Sequence, residues 1–236
     1  MHPVIVEVRK ELAASVDEET RESVQRFFKE KVVCYGVKTA AVREIAERHW
    51  SEIKLLCKGE VFVVCEELLC SGYMEEVFVV AVWLPKLVER LEPGDLAVFR
   101  VWIERYVDNW AKCDSFCNHT VGGLLEKHPG SVSEVKNWAK SENTWLKRAA
   151  AVSLVVPAKK GLFLQDAFEI SDVLLNDEND MVQKGYGWLL KEESRKHQAE
   201  VFNYVLRNRK VMPRTALRYA IELMPKELKA EAMKRD

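Results

Sequence analysis

The feature that most constrains this chain is a repeat with a period of 36 residues. The segments Gly72–Pro85 and Thr144–Pro157 align without a gap at an offset of 72, and each ends in a proline. Halving that offset brings further units into register, beginning at Gly36, Gly72, Asp108, Thr144 and Asp180, with a shorter last unit around Val211–Arg218. Repeats of this length are typical of solenoids in which each helix pair buries its apolar face against its neighbours. The period predicts an all-α solenoid of about six helix pairs, forming one domain over residues 1–236.

Apolar spacing within the units is helical. Two stripes one repeat apart have the same spacing: Leu146, Ala149, Ala150 and Ser153, then Val182, Gly185, Tyr186 and Leu189. Polar residues before these stripes predict helix starts, with Ser141 capping a helix over 142–156 and the polar run 176–180 preceding a helix over 181–193. The valine-rich stretches 61–64 and 77–82 could instead be strands. Strands would not explain a gapless register, and no hairpin dipeptide stands beside them.

Composition excludes several classes of protein. The chain is 48% hydrophobic and 31% charged, which is typical of a well-ordered soluble protein. Its longest apolar run is too short to span a bilayer, and its charged beginning does not resemble a secretion signal. The six cysteines form no framework typical of secreted domains, so free thiols are expected. A cytoplasmic location, with no membrane association, is expected.

The net charge of −1 requires any DNA-binding surface to be segregated onto one face. Lys112, Arg148 and Lys184 occupy one repeat position, and Arg214 and Arg218 lie in the last unit. Equivalent positions on stacked helices form a column, which predicts a basic stripe facing a phosphate backbone. The alternative is a set of solvated cations pointing in unrelated directions.

Trp110 and Asp114 are four residues apart and therefore share a helical face. An indole attracts a delocalised cation by about 2 kcal/mol when desolvated. A carboxylate about 4 Å away adds roughly 4 kcal/mol at an effective dielectric near 20. The pair would suit a cationic substrate, although a core tryptophan beside a helix-capping aspartate explains the same spacing.

Several separated motifs resemble the AlkD family of DNA alkylation repair proteins, in the same order and over essentially the whole chain. They are Met1-His-Pro, Tyr35-Gly-Val-Lys-Thr39, the run from Asp108 to Ser115, Gly122 to Pro129, Trp138 to Ala150, and Gln183 to Glu192. The resemblance implies a HEAT-like repeat protein, curved around duplex DNA with a concave binding face. It also implies a glycosylase that excises cationic N3- and N7-alkylated purines without seating the base in a pocket.

By this resemblance Asp114 is the catalytic carboxylate, and Trp110 and Trp188 contact the sugar and backbone of the lesion nucleotide. Arg148 holds a nearby phosphate. Further DNA contacts are expected at Phe27, Thr39, Arg43, Lys112, Lys184, Arg214 and Arg218. No cofactor or metal is expected. A monomer acting on the nucleoid would suffice.

One position departs from the family pattern. Phe27 stands where the family has a DNA-contacting tyrosine. The ring remains, but the hydroxyl group and its hydrogen bond are lost.

Other interpretations of the sequence remain open. Cys113, Cys117 and His119 invite a zinc site, but no second ligand pair follows, and His119 falls off the helical face of the two cysteines. On the same scaffold, the chain could be a non-catalytic binder of damaged or branched DNA. Helical repeats also serve as protein-interaction scaffolds.

Overall fold

The computed structural model describes residues 2–29 and 31–234, and these residues form helices joined by turns and loops, with no β-strand among them. The ends of the predicted domain, Met1 and 235–236, lie outside the described residues, as does Glu30. The predicted all-α fold is confirmed. Both valine-rich stretches are helical. No helix in the described part of the chain is long and apolar enough to cross a membrane.

The chain divides into two compact units, Met1–Leu91 with Arg105–Phe116, and Glu92–Glu104 with Cys117–Asp236. The first unit contains α1 (Pro3–Ala14), α2 (Glu18–Phe27), α3 (Thr39–Ile53), α4 (Lys58–Leu69), α5 (Met74–Trp83), a 3-10 helix (Leu84–Arg90) and α7 (Trp110–Phe116). Helix α6 (Asp95–Tyr106) lies mostly in the second unit. The single domain and the concave DNA-binding face stay predictions.

The second unit continues with a π-helical turn (Cys117–Val121) and a 3-10 turn (Pro129–Ser131). Its α-helices are α8 (Gly122–Lys127), α9 (Val132–Trp138), α10 (Thr144–Val152), α11 (Val155–Lys159), α12 (Leu164–Leu174), α13 (Asp180–Glu193), α14 (Gln198–Asn208), α15 (Arg214–Ala220) and α16 (Lys226–Ala232).

The helices follow the period seen in the sequence. The helices α3, α5, α7, α10, α13 and α15 begin at residues 39, 74, 110, 144, 180 and 214, in steps of 35, 36, 34, 36 and 34. Within the first unit α3 packs against α5 and α5 against α7, and within the second α10 packs against α13 and α13 against α15. Within each unit these helices therefore pack against their equivalents one repeat later, as expected for a helical-repeat fold.

The predicted apolar stripes form the core of these contacts. All residues of the stripes on α10 and α13 are buried. The start of α10 differs from the prediction, because Asn143 rather than Ser141 is the cap. The Asn143 side chain accepts hydrogen bonds from the amides of Trp145 and Leu146 at 2.9 and 3.0 Å. The predicted helix over 142–156 is interrupted after Val152, and α11 begins at Val155.

Two glycines let α13 approach its neighbours closely. A Cβ atom on Gly187 would lie 2.8 Å from the Ala216 carbonyl oxygen and 2.8 Å from the Tyr219 Cβ. A Cβ atom on Gly185 would lie 3.3 Å from the Arg148 Cγ. Gly187 is therefore required for the packing of α13 on α15, and Gly185 leaves room for the arginine of α10.

A buried carboxylate holds the segment before α3. Glu75 of α5 accepts hydrogen bonds from the amides of Tyr35, Gly36 and Val37 at 3.0, 2.8 and 3.1 Å. Gly36 has a φ of +89°, which a residue with a side chain rarely adopts. The conformation of this segment therefore depends on a side chain about forty residues later in the chain.

Candidate functional site

Helix α7 exposes one indole and one carboxylate on the same face. Trp110 and Asp114 are half-buried, whereas the three residues between them are buried. The helix start is fixed by Asn109, whose side chain accepts a hydrogen bond from the Lys112 amide at 3.0 Å. Trp110 and Asp114 therefore lie on one face of α7, where both are partly accessible, and Trp110 also packs on the buried cluster of Cys34, Met74 and Ala111.

Two phenylalanine rings contact the Trp110 indole. Phe28 stacks on it with the ring centroids 5.5 Å apart and the planes inclined by 19°. Phe27 meets it edge-on, at 5.9 Å and 65°. Phe27 is 70% exposed. Phe28 is partly buried against the apolar cluster formed by Cys34, Met74 and Ala111.

The end of α2 explains why consecutive rings reach the same indole. In a helix, neighbouring side chains point about 100° apart. Helix α2 ends at Phe27, and Phe28 is extended, with φ −88° and ψ 140°. Its amide still donates to the Val24 carbonyl at 3.2 Å. This change of backbone conformation places both rings beside Trp110.

Lys112 does not lie on an open face. Its side chain is fully buried, and its ammonium group donates to the Gly72 carbonyl at 2.8 Å and to Asp108 at 2.9 Å. The prediction that Lys112 contacts DNA is therefore wrong, because a buried ammonium group cannot reach a phosphate. The Lys112 side chain points toward the neighbouring repeat instead of toward solvent.

Glu76, the equivalent residue one repeat earlier, behaves in the same way with the opposite charge. It is buried, pairs with the Arg9 guanidinium at 3.0 Å and accepts a hydrogen bond from the Tyr35 hydroxyl at 2.7 Å. Burial and the neighbouring Glu76 carboxylate raise the pKa of Tyr35 well above its usual range. Glu76 and Lys112, which share one repeat position, therefore both make contacts within the fold.

Arg148 and Lys184 continue this position in the second unit. Arg148 is 5% exposed, and one of its guanidinium nitrogens donates to the Met181 carbonyl. Lys184 is partly exposed and pairs with Asp180 at 2.6 Å. Of these two predicted phosphate ligands, Lys184 is the more accessible.

Trp188 of α13 is half-buried and is held by a buried acid. Its indole N–H donates to Glu192 at 3.1 Å, and the other oxygen of Glu192 accepts a hydrogen bond from Arg195. Glu192 is 3% exposed. The orientation of the Trp188 ring therefore depends on a carboxylate one turn later on the same helix.

The other predicted DNA contacts are at the surface. Phe27, Thr39, Arg43 and Arg218 are exposed, and Arg214 is partly exposed with its guanidinium bonded to the Met233 carbonyl at 3.3 Å. Thr39 and Arg43 share the first turns of α3. These positions can meet a phosphate without rearrangement of the core.

The residues considered for zinc do not converge. Cys113 and Cys117 are fully buried, whereas His119 is exposed. No group of three or more potential metal ligands occurs in the part of the chain that the structure describes.

The sequence did not single out two residues that the structure places against the candidate aromatic side chains. Phe28 contacts Trp110, and Glu192 contacts Trp188. Trp188 and Glu192 are four residues apart on a predicted helix, and this spacing could have predicted their contact. Nothing in the sequence indicated that the backbone becomes extended at Phe28.

Comparisons with known proteins support the family assignment. A sequence model described as "DNA alkylation repair enzyme" matches residues 8–224. A solved structure described as "Predicted DNA alkylation repair enzyme from Enterococcus faecalis" shares the fold, with a TM-score of 0.80, 16% sequence identity, and coverage of 90% of this chain and 98% of that one. A search of curated proteins gave no significant match. Since the family model spans most of its length, the chain belongs to the DNA alkylation repair enzyme family.

Proposed function

We propose that this protein is a DNA glycosylase that hydrolyses the N-glycosidic bond of cationic N3- and N7-alkylated purines in duplex DNA. The observation that carries the proposal is the half-exposed indole and carboxylate on one turn of α7, at Trp110 and Asp114. The family assignment gives a role in the repair of alkylated DNA. The proposal adds the reaction and the substrate class.

The substrate itself favours this reaction. Alkylation at N3 or N7 places a positive charge on the purine. When the bond between C1′ and N9 breaks, its electron pair moves to the base, which leaves as a neutral molecule. The leaving group therefore needs no general acid. The developing positive charge passes to the deoxyribose, where C1′ and the ring oxygen share it as an oxocarbenium ion.

Asp114 supplies the charge that this transition state needs. A carboxylate about 4 Å from the sugar stabilises the cation by roughly 4 kcal/mol at an effective dielectric near 20. An attraction that grows as charge reaches the sugar lowers the barrier, and 4 kcal/mol corresponds to about a thousandfold in rate. Asp114 can also accept a hydrogen bond from the water that attacks C1′. The proton of that water then passes to solvent.

Trp110 contributes a ring face to the cationic nucleotide, worth about 2 kcal/mol when the contact excludes water. By the family resemblance, Trp188 contacts the backbone and sugar of the lesion, and Arg148 a nearby phosphate. Phosphate contacts by surface residues account for general affinity, and we assign them to Thr39, Arg43, Lys184, Arg214 and Arg218, with Phe27 as a ring contact. The reaction consumes only water, so it requires no redox cofactor.

The test is release of 7-methylguanine or 3-methyladenine from methylated duplex DNA. Asp114→Asn keeps the size of the side chain and removes its charge. We expect this variant to bind DNA with unchanged affinity and to release base about a thousandfold more slowly. Glu44→Gln removes an exposed carboxylate from α3 and is the matched control, with wild-type activity expected.

Two outcomes would contradict the proposal. If the wild-type protein binds methylated DNA but releases no base under conditions in which a known glycosylase does, the protein is a binder of damaged DNA. If Asp114→Asn and Glu44→Gln release base at the wild-type rate, the chemistry does not depend on the carboxylate of α7.

A further inference from the structure

The Phe28 ring covers one face of the Trp110 indole. The Phe28 ring lies nearly parallel to it, with centroids 5.5 Å apart, and Phe27 approaches the same indole edge-on. The Phe27 and Phe28 rings are also edge-to-face with each other, at 5.6 Å and 83°. Three rings therefore form a continuous cluster, and a planar substrate group can stack only on the side of Trp110 opposite Phe28.

The two phenylalanines differ in how firmly they are held. Phe28 packs on the cluster of Cys34, Met74 and Ala111, and its amide bonds to the Val24 carbonyl. Phe27 is 70% exposed. Trp110 packs on the same cluster, so Phe28 and the indole share one apolar support, whereas Phe27 is accessible to DNA.

We infer that Phe28 is a positioning residue for Trp110. Its ring covers one face of the indole and restricts the sugar and cationic base of the substrate to the other face. This inference rests on the proposed glycosylase function. Phe28 does not touch the substrate, and it acts by fixing the plane of a ring on the helix that carries Asp114.

The inference predicts that Phe28 affects the rate of base release more than the binding of DNA. Without the stacked partner the indole is held by the apolar cluster alone and samples further orientations, and only some of these present a face to the sugar beside Asp114. Most of the duplex is bound through phosphates, which do not depend on this ring. Removing an aromatic pair of this geometry corresponds to about a tenfold change in rate.

The experiment compares three variants. Phe28→Leu removes the ring, and Phe28→Tyr keeps it. Phe78→Leu removes another phenylalanine that packs on the same apolar cluster without stacking on Trp110, so it controls for weakened core packing. Each protein is assayed for kcat and KM of base release, and is labelled with 5-fluorotryptophan for fluorine NMR, with the Trp110 resonance assigned from Trp110→Phe.

For Phe28→Leu we expect a kcat about tenfold lower, a KM within about twofold of wild type, and a Trp110 fluorine resonance shifted by removal of the Phe28 ring current. Phe28→Tyr should restore both kcat and the resonance. Phe78→Leu should leave both unchanged. An unmoved Trp110 resonance in Phe28→Leu, or equal losses of kcat in Phe28→Leu and Phe78→Leu, would overturn the inference.

The two proposals fail separately. A wild-type protein without base release contradicts the glycosylase function. In that case the fluorine spectra still decide whether Phe28 sets the orientation of Trp110. A Trp110 resonance that responds to methylated duplex DNA in the wild type but not in Phe28→Leu supports this role of Phe28. Equal responses in the two proteins refute it.

Discussion

The ammonium group of Lys112 donates a hydrogen bond to the backbone carbonyl of Gly72, 2.8 Å away and forty residues earlier in the chain. Gly72 lies just before α5, and Lys112 lies in α7, so the bond joins neighbouring repeats. Its second partner, Asp108, is largely exposed. A cation that resembles a DNA ligand in the sequence is thus part of the contact between repeats.

Replacing Lys112 by methionine is therefore expected to lower stability and leave electrostatic DNA binding unchanged. The substitution leaves the Gly72 carbonyl without this donor, which costs roughly 1–3 kcal/mol. Urea denaturation measures the change. Lys10→Met, at an exposed position with a surface ion pair to Glu7, should change stability by less than about 1 kcal/mol. Equal stabilities of the two variants would contradict the structural role of Lys112.

Arg43 and Arg218 are exposed and should carry part of the salt dependence of DNA binding. Removing one phosphate ligand lowers the slope of log affinity against log salt by about one unit. Arg43→Ala and Arg218→Ala are each expected to reduce the slope by that amount, measured by fluorescence anisotropy with duplex DNA at several salt concentrations. Lys112→Met is the control with an unchanged slope. A wild-type slope in Arg43→Ala and Arg218→Ala would place both arginines outside the DNA interface.

Gly187→Ala should destabilise the protein although alanine favours helices. The added Cβ atom meets the Ala216 carbonyl at 2.8 Å, and overpacking of this kind costs about 1–3 kcal/mol, against about 1 kcal/mol gained in helix propensity. Gly59 in α4 has no atom within 4 Å of an added Cβ atom. Gly59→Ala is therefore expected to leave stability unchanged or raise it, by about 1 kcal/mol at most. Thermal denaturation of Gly187→Ala and Gly59→Ala separates the effect of close helix packing from the effect of helix propensity. A Gly187→Ala variant more stable than the wild type would refute the close approach of α13 and α15.

Glu193 should make the protein less stable at high pH. Its side chain is fully buried, and neither carboxylate oxygen has a hydrogen-bond partner within the described residues. Burial raises the pKa of its carboxyl group from an ordinary 4.5 to about 8. The folded chain therefore holds a proton that the unfolded chain releases between about pH 4.5 and 8. Stability falls as pH rises through this window, by roughly 1.4 kcal/mol for each pH unit between the folded and unfolded pKa values, and levels off above it.

Glu193→Gln removes this dependence. Its urea midpoint should exceed that of the wild type at pH 9, and the difference should shrink at pH 5. The exposed substitution Glu44→Gln should keep the pH dependence of the wild type. If Glu193→Gln and the wild type lose stability in parallel between pH 5 and 9, then the carboxyl group of Glu193 titrates normally in the folded state.

The repeat and the core stripes were predictable because helix stacking imposes one spacing on every unit. The buried stripes on α10 and α13 follow directly from that spacing. The start of α10 was not predicted correctly, since both Ser141 and Asn143 are able to cap a helix. Only the folded backbone shows that Asn143 receives the two amide bonds.

The sequence predicted which residues of the candidate site share a helix face, but not which residues surround them. The spacing of Trp110 and Asp114 places them together on any helix. Lys112, Arg148 and Lys184 share one repeat position in the sequence, but the sequence could not tell whether the side chain at that position faces solvent or a neighbouring helix. Phe28 was missed because its role depends on an extended backbone at the end of α2, which has no distinct sequence signal.

The carboxylate of Glu75 also fixes an order of events during synthesis. The amides of Tyr35, Gly36 and Val37 leave the ribosome about forty residues before the side chain that accepts their hydrogen bonds. Since buried amides require partners, the segment before α3 can settle only after α5 has been made. A nascent chain stalled before Glu75 would therefore leave that segment open to proteolysis.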